Sequence, residues 1–159
     1  MPGASVFWDE KMKIMFVCHG NICRSPMAEF IFKNIVNNAG RAGDFTVASS
    51  ATSTEEIGNP IYPPARRELL RQNIPFTERE AVQVRRADYE KYDKFIVMDG
   101  NNYRNLMRIF GEDREGKVSK MMDYTSRGGD VADPWYTGNF TDTFRDISEA
   151  CLGLFEAVK

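Results

Sequence analysis

The sequence predicts a single α/β domain: a three-layer sandwich in which a four-stranded parallel sheet carries helices on both faces. Three observations lead there. Strand-like and helix-like stretches alternate from Lys13 onward, the pattern of a parallel sheet covered by helices. The apolar runs are short and unbroken, as in strands buried on both faces. A chain of 159 residues is about the size of one domain with one core.

Residues 1–12 read as an irregular leader containing Pro2, Gly3, Phe7 and Trp8, with Met12 a candidate alternative start, and residues 13–159 as the domain. Lys13 to Cys18 forms the first strand and ends in a glycine-containing loop. The next helix has Ser25 as N-cap, Pro26 at its first position, and Phe30, Ile31 and Ile35 at helical spacing. Phe45 to Ser50 is the second strand. Ala65 to Gln72 is a short helix with Leu69 and Leu70 inward, and Asp88 opens a turn after Arg86. Lys94 to Met98 is the clearest strand, running into Asp99. A helical face of Tyr103, Leu106, Met107 and Phe110 follows. Val118 to Met122 is a fourth strand, Tyr124 to Asn139 a polar loop, and a last helix starts near Asp142 with Phe144, Ile147, Cys151, Leu154, Phe155 and Val158 on one stripe.

Composition narrows the function classes. Twenty-one basic and 23 acidic residues give a formal charge of -2, which supplies no global field for nucleic acid. No apolar run approaches the roughly 20 residues of a membrane span, and the first residues lack the form of a signal peptide, so a cytoplasmic location with no membrane partner is expected. Three cysteines, Cys18, Cys23 and Cys151, suit neither a disulfide framework nor paired metal ligands. His19 is the one histidine, so neither a His-rich metal site nor a Ser-His or Cys-His triad is expected. No metal and no cofactor is implied.

The chemistry concentrates in Cys18-His19-Gly20-Asn21-Ile22-Cys23-Arg24-Ser25-Pro26, between the first strand and the first helix. A loop of this length aims successive backbone N–H groups at an anion, and the following helix adds the positive end of its dipole. Gly20 permits the close turn, Asn21 can hold the loop by side-chain hydrogen bonds, and Arg24 can grip two phosphoryl oxygens with its planar fork. Cys18, at the floor of that cradle, is expected to be a thiolate at neutral pH. Ser25 has two open readings, a hydroxyl donor to that thiolate or an ordinary helix cap. A thiolate placed for in-line attack on phosphorus gives covalent catalysis through a phosphocysteine.

The segment from Val17 to Pro26 resembles the phosphate-binding signature of the low-molecular-weight protein tyrosine phosphatases. Further matches extend the resemblance from Lys13 through most of the chain, at Ser49-Ser50-Ala51, Gly58-Asn59-Pro60 and Tyr92 to Asp99. It implies hydrolysis of a tyrosine-phosphorylated protein or small aryl phosphate, with inorganic phosphate as product. Asp133, in Asp133-Pro134-Trp135-Tyr136, resembles the family's general acid. Trp135 and Tyr136 resemble its aromatic pair, and for Trp135 a substrate wall and core packing stand as alternatives. Ser49 and Asp99 are implied as supporting residues near the loop, against plain turn and cap chemistry. The resemblance also suggests that Cys23 traps an oxidised Cys18 as a reversible disulfide, whereas Cys151 reads as a buried helix residue.

Two departures stand out. Thr54-Glu55-Glu56 replaces an aromatic facing the acid loop, so Glu55 becomes a pocket residue that would repel acidic phosphopeptides. Tyr62-Pro63-Pro64-Ala65 replaces the family's Asp-Pro-Arg-Ala; there Tyr62 is either a restored aromatic contact or part of a surface turn. Two competing functions share the cradle. Thiol-linked arsenate reduction requires relay cysteines that Thr77 to Met98 lacks. A phosphate-sensing or phosphocysteine-carrying domain has no need of the acid Asp133.

Overall fold

The computed structural model describes residues 11–159; Phe7, Trp8 and the rest of the leader before Lys11 lie outside the described residues. Four strands, β1 (Met12–Cys18), β2 (Phe45–Ala51), β3 (Lys94–Val97) and β4 (Val118–Lys120), form one parallel sheet in the order β2-β1-β3-β4. Met12, assigned above to the leader, is the first residue of β1 and pairs with Phe45.

Among the described residues five α-helices connect and cover the sheet: α1 (Arg24–Asn38), α2 (Pro63–Arg71), α3 (Gly100–Phe110), α4 (Pro134–Thr137) and α5 (Phe140–Val158). Successive residues of β1 face opposite sides. Ile14, Phe16 and Cys18 join a core with α1, α2 and α5, whereas Met15 and Val17 join a second core with Phe95, Val97, Leu106 and Phe110. Burial on both faces explains why β1 reads as a continuous apolar run.

Several boundaries differ from the expectation, each for a local reason. Helix α1 begins at Arg24, with Cys23 rather than Ser25 in the capping position, because the Ser25 hydroxyl is turned toward Cys18. Pro26 therefore sits third in the helix, where its missing N–H is still one that no helical carbonyl would receive. Leu70 is exposed beside the fully buried Leu69, and Tyr103 is exposed on α3. The fourth strand stops at Lys120, and Met121 and Met122 are buried in a 3₁₀ turn. The expected polar loop contains the short α4, closed by Gly138 in the left-handed conformation at φ 72°. Helix α5 starts two residues early because Asn139 accepts the Asp142 N–H at 2.9 Å.

Asp113 anchors the approach to β4. Its carboxylate accepts from Tyr89 Oη at 2.6 Å, the Lys117 N–H at 2.7 Å and the Val118 N–H at 3.0 Å. Burial works against the charge, but these donors outweigh it and hold the carboxyl below the usual aspartate range. A depressed folded-state pKa contributes stability that is present above the unfolded value and lost as pH falls through the folded one. Asp113→Asn is therefore expected to cost about 1–3 kcal/mol at neutral pH, and the deficit should be constant down to about pH 5 and shrink below about pH 4. Urea unfolding of both proteins between pH 3 and 7 measures it; a deficit independent of pH would show that the charge is not what matters.

Candidate active site

The sheet positions the site. The connection from β1 runs to one side and that from β2 crosses to β3 on the other, so the strand order reverses at the carboxyl end of β1, where open α/β sheets hold ligands. Cys18 ends β1 there, Asp99 follows β3, and the segment before α4 closes over the same edge.

The loop after β1 turns its carbonyls outward. Cys18 O accepts the Thr52 N–H at 2.9 Å, His19 O the Ser53 N–H at 3.1 Å, and Ile22 O the Tyr62 N–H at 2.9 Å. In a trans peptide the N–H points opposite to its carbonyl, so the N–H groups of His19, Gly20 and Cys23 are aimed into the cup. Two more, from Asn21 and Ser25, reach the Cys18 sulfur at 3.3 and 3.4 Å. Ser25 Oγ is 3.0 Å from the same sulfur; the thiol donates to it, and the hydroxyl takes over as donor when Cys18 is ionised. Close approach explains Gly20, since a Cβ there would lie 3.3 Å from the Glu56 side chain.

Asn21 holds this geometry at φ 59°, a left-handed conformation that few side chains adopt. Its amide nitrogen donates to Ser25 Oγ at 2.7 Å and Ser49 Oγ at 3.0 Å, and its carbonyl accepts the Val82 N–H at 3.1 Å and a bond from Arg79 Nη2. Ser49 passes its own hydroxyl to Glu29 at 2.7 Å. Arg79 and Glu29 were not singled out in the sequence, where Glu78-Arg79-Glu80 reads as a solvated charge run; nothing local in that run marks the arginine as turned inward.

Arg24 is 2 % exposed. Its Nη1 donates to Asp99 at 2.7 Å and to Val131 O at 2.9 Å, and Nη2 lies 3.4 Å from Asp133. Burial opposes its charge, but the Cys18 sulfur, the Asp99 bond and Asp133 prevail and hold its pKa above the ordinary arginine value. Asp99 satisfies both readings offered for it, since its other oxygen caps α3 by accepting the Asn102 N–H at 2.7 Å. Asp133 caps α4 in the same manner, accepting the Trp135 N–H at 3.0 Å.

Cys18, Arg24, Asp133, Glu55, Trp135 and Tyr136 line one cavity of about 210 Å³ with His19, Gly20, Ile22, Cys23 and Glu56. That is below the roughly 300–1,000 Å³ of typical small-molecule sites. Trp135 is 52 % exposed, which decides against core packing. Tyr62 does not line the cavity but stands behind Trp135, ring centroids 4.8 Å apart. Glu55 pairs with His19 at 2.9 Å on the rim. Ser49 and Asp99 lie outside the cavity and act on Asn21 and Arg24. Burial, aided by Cys18 and Asp133, pushes the Cys23 thiol up, and burial alone does so for Cys151 on α5. Among the described residues no group of three or more His, Cys, Asp or Glu could hold a metal.

A parallel α/β sheet with a cysteine at the floor of an N–H-lined cup defines a thiol-dependent oxyanion enzyme class. Comparison with known proteins makes this specific. Residues 13–159 match the family described as low molecular weight phosphotyrosine protein phosphatase. The low molecular weight protein-tyrosine-phosphatase YfkJ of Bacillus subtilis is 34% identical over 150 residues, covering 93% of this chain and 96% of that protein. The crystal structure of YfkJ superposes with a TM-score of 0.90 over 94% of this chain and 95% of that one. The low molecular weight phosphotyrosine protein phosphatase of Schizosaccharomyces pombe is 36% identical over 140 residues, covering 86% of this chain and 88% of its own. The chain belongs to the low molecular weight phosphotyrosine protein phosphatase family.

Arg79 supplies the test of the loop's support. Arg79→Met keeps the apolar stem but leaves the Asn21 carbonyl with the Val82 N–H alone. A loss of about 1–2 kcal/mol in urea unfolding is expected, with an unchanged denaturant slope. An unaltered midpoint would mean that Asn21 is held without the arginine.

Proposed function

We propose that the chain hydrolyses phosphotyrosine and related aryl phosphate monoesters through a phosphocysteine on Cys18. The observation that carries this reading is the meeting of Cys18, Arg24 and Asp133 in one small cavity. The Cys18 thiolate attacks phosphorus in line with the ester oxygen; the S–P bond forms as the O–P bond breaks. Arg24 and the N–H groups of His19, Gly20, Ile22 and Cys23 take the charge on the equatorial oxygens. Asp133 protonates the departing phenolate, then removes a proton from the water that attacks the phosphocysteine and releases inorganic phosphate. Ser25 steadies the thiolate when it is regenerated, and Trp135 and Tyr136 flank the substrate ring.

Arsenate reduction fits less well, because a relay needs sulfurs beyond the cavity. Cys23 lines the cavity with Cys18, but Cys151 is fully buried with its sulfur 3.8 Å from the Ala28 carbonyl on α1. A phosphate carrier leaves Asp133 without a purpose.

Hydrolysis of an aryl phosphate at mildly acidic pH with a chelator present tests the proposal. Wild-type protein is expected to turn over, Cys18→Ser to show none, and Asp133→Ala to lose about 10²–10⁴-fold in kcat. Reduced wild-type protein without turnover would sink the mechanism.

A further inference from the structure

Beside the phosphate cup lies a second cavity, of about 240 Å³, that the phosphoryl chemistry does not use. Both cavities are lined by Ile22, Glu56 and Trp135, so those three side chains form the partition between adjoining chambers. The second chamber continues along Pro60, Ile61, Tyr62 and Pro63. Its aromatic side is built, since Tyr62 backs Trp135 at 4.8 Å with the rings inclined at 48°.

The polar groups in this chamber are few. Asn59 Nδ2 donates to Glu56 Oε2 at 2.6 Å, so the carboxylate at the partition has one oxygen engaged and the other without a side-chain donor among the described residues. Glu55, Glu56 and Asp133 all line the neighbouring mouth. Against them stand Arg24, already paired with Asp99 and Asp133, and His19, charged only when protonated and paired with Glu55. The chamber therefore combines apolar walls, the rings of Tyr62 and Trp135 and one hydrogen-bonded carboxylate in an acidic surround. An acidic side chain would be repelled there, and a purely apolar one would leave the carboxylate unused. A long apolar stem ending in a planar cation uses all three features.

We propose that this chamber is a subsite for a basic side chain, arginine foremost, flanking the phosphotyrosine of a protein substrate. The stem lies on Pro60 and Pro63, and the guanidinium meets Glu56 beside the rings of Tyr62 and Trp135. In an extended peptide, side chains two residues apart point to one face with Cα atoms about 6–7 Å apart, a separation suited to chambers that share a wall. The inference rests on the phosphotyrosine reading above, so its test includes a measurement that needs no turnover.

Phosphotyrosine peptides identical except for arginine, lysine, norleucine or glutamate, placed in turn two residues before and two residues after the phosphotyrosine, are compared at low ionic strength. In one of the two positions arginine is expected to exceed norleucine by about five- to tenfold in kcat/KM, mainly through KM, with glutamate lowest. Glu56→Gln should cut the arginine advantage below about twofold, Glu55→Gln should cut it less, and Tyr62→Leu should bring arginine down to the level of lysine. The same ranking is expected for Kd on the Cys18→Ser protein. An arginine advantage under twofold at both positions in that binding series, or one that survives Glu56→Gln, overturns the subsite. Equal loss in Glu55→Gln and Glu56→Gln also overturns it, by assigning the selectivity to the diffuse charge of the rim. Failure of aryl phosphate hydrolysis, with the binding ranking intact, would instead count against the catalytic reading alone.

Discussion

The site depends on one backbone conformation, the left-handed turn at Asn21. A loop that aims its N–H groups at a single point crowds like-oriented dipoles together, and a non-glycine residue at φ 59° adds strain of order 1–3 kcal/mol. Glycine would relieve the strain but would free the loop to open. Asparagine offsets it by saturating its amide, two donations and two acceptances, with partners on α1, β2 and the segment from Arg79 to Val82. At about 0.5–1.5 kcal/mol net for each neutral bond, and more where a charged partner takes part, these contacts are of the size needed to hold the strained turn. The turn is thereby fixed by the adjoining helix and by two elements distant in sequence, and the cup is shaped before an anion enters it.

A second constraint is electrostatic. Arg24 is too deeply buried to carry its charge unaided, so the fold surrounds it with Asp99, Asp133 and the Val131 carbonyl. Two segments after β3, the turn at Asp99 and the loop from Val131 to Asp133, are thus tied to a residue of the first helix. The proposed mechanism couples binding to acid placement, because the guanidinium assigned to the phosphoryl oxygens touches the carboxyl assigned to the leaving group. Asp133 is held twice, by Arg24 and by its own cap on α4. That double hold keeps the carboxyl at the cavity mouth while Trp135 and Tyr136 remain exposed around it.

Legibility in the sequence followed the range of the interactions. Strands buried on both faces announced themselves as unbroken apolar runs, and the loop from Cys18 to Ser25 was visible because its chemistry is local. The start of α1 was misplaced since Ser25 looks like a cap until its hydroxyl is required by a sulfur seven residues back. Leu70 and Tyr103 were assigned inward because helical spacing alone does not say how wide the buried stripe is. Arg79 was illegible for a different reason. Its role is defined by Asn21, 58 residues away, while its neighbours Glu78 and Glu80 give it the look of a surface residue.

The segment from Thr52 to Pro63 shows how such a scaffold can change what it admits without touching its chemistry. Its backbone does fixed work, with Thr52, Ser53 and Tyr62 N–H groups holding the carbonyls of the phosphate loop outward. Side chains on that segment are not bound by the same duty. Glu55 and Glu56 bring charge to a rim where an aromatic would supply a neutral wall, and Tyr62 moves aromatic surface behind Trp135. A flat stacking surface recognises a ring and little else. A carboxylate beside aromatic rings recognises a cation, and so shifts recognition from the phosphorylated ring to another residue on the same face of the peptide.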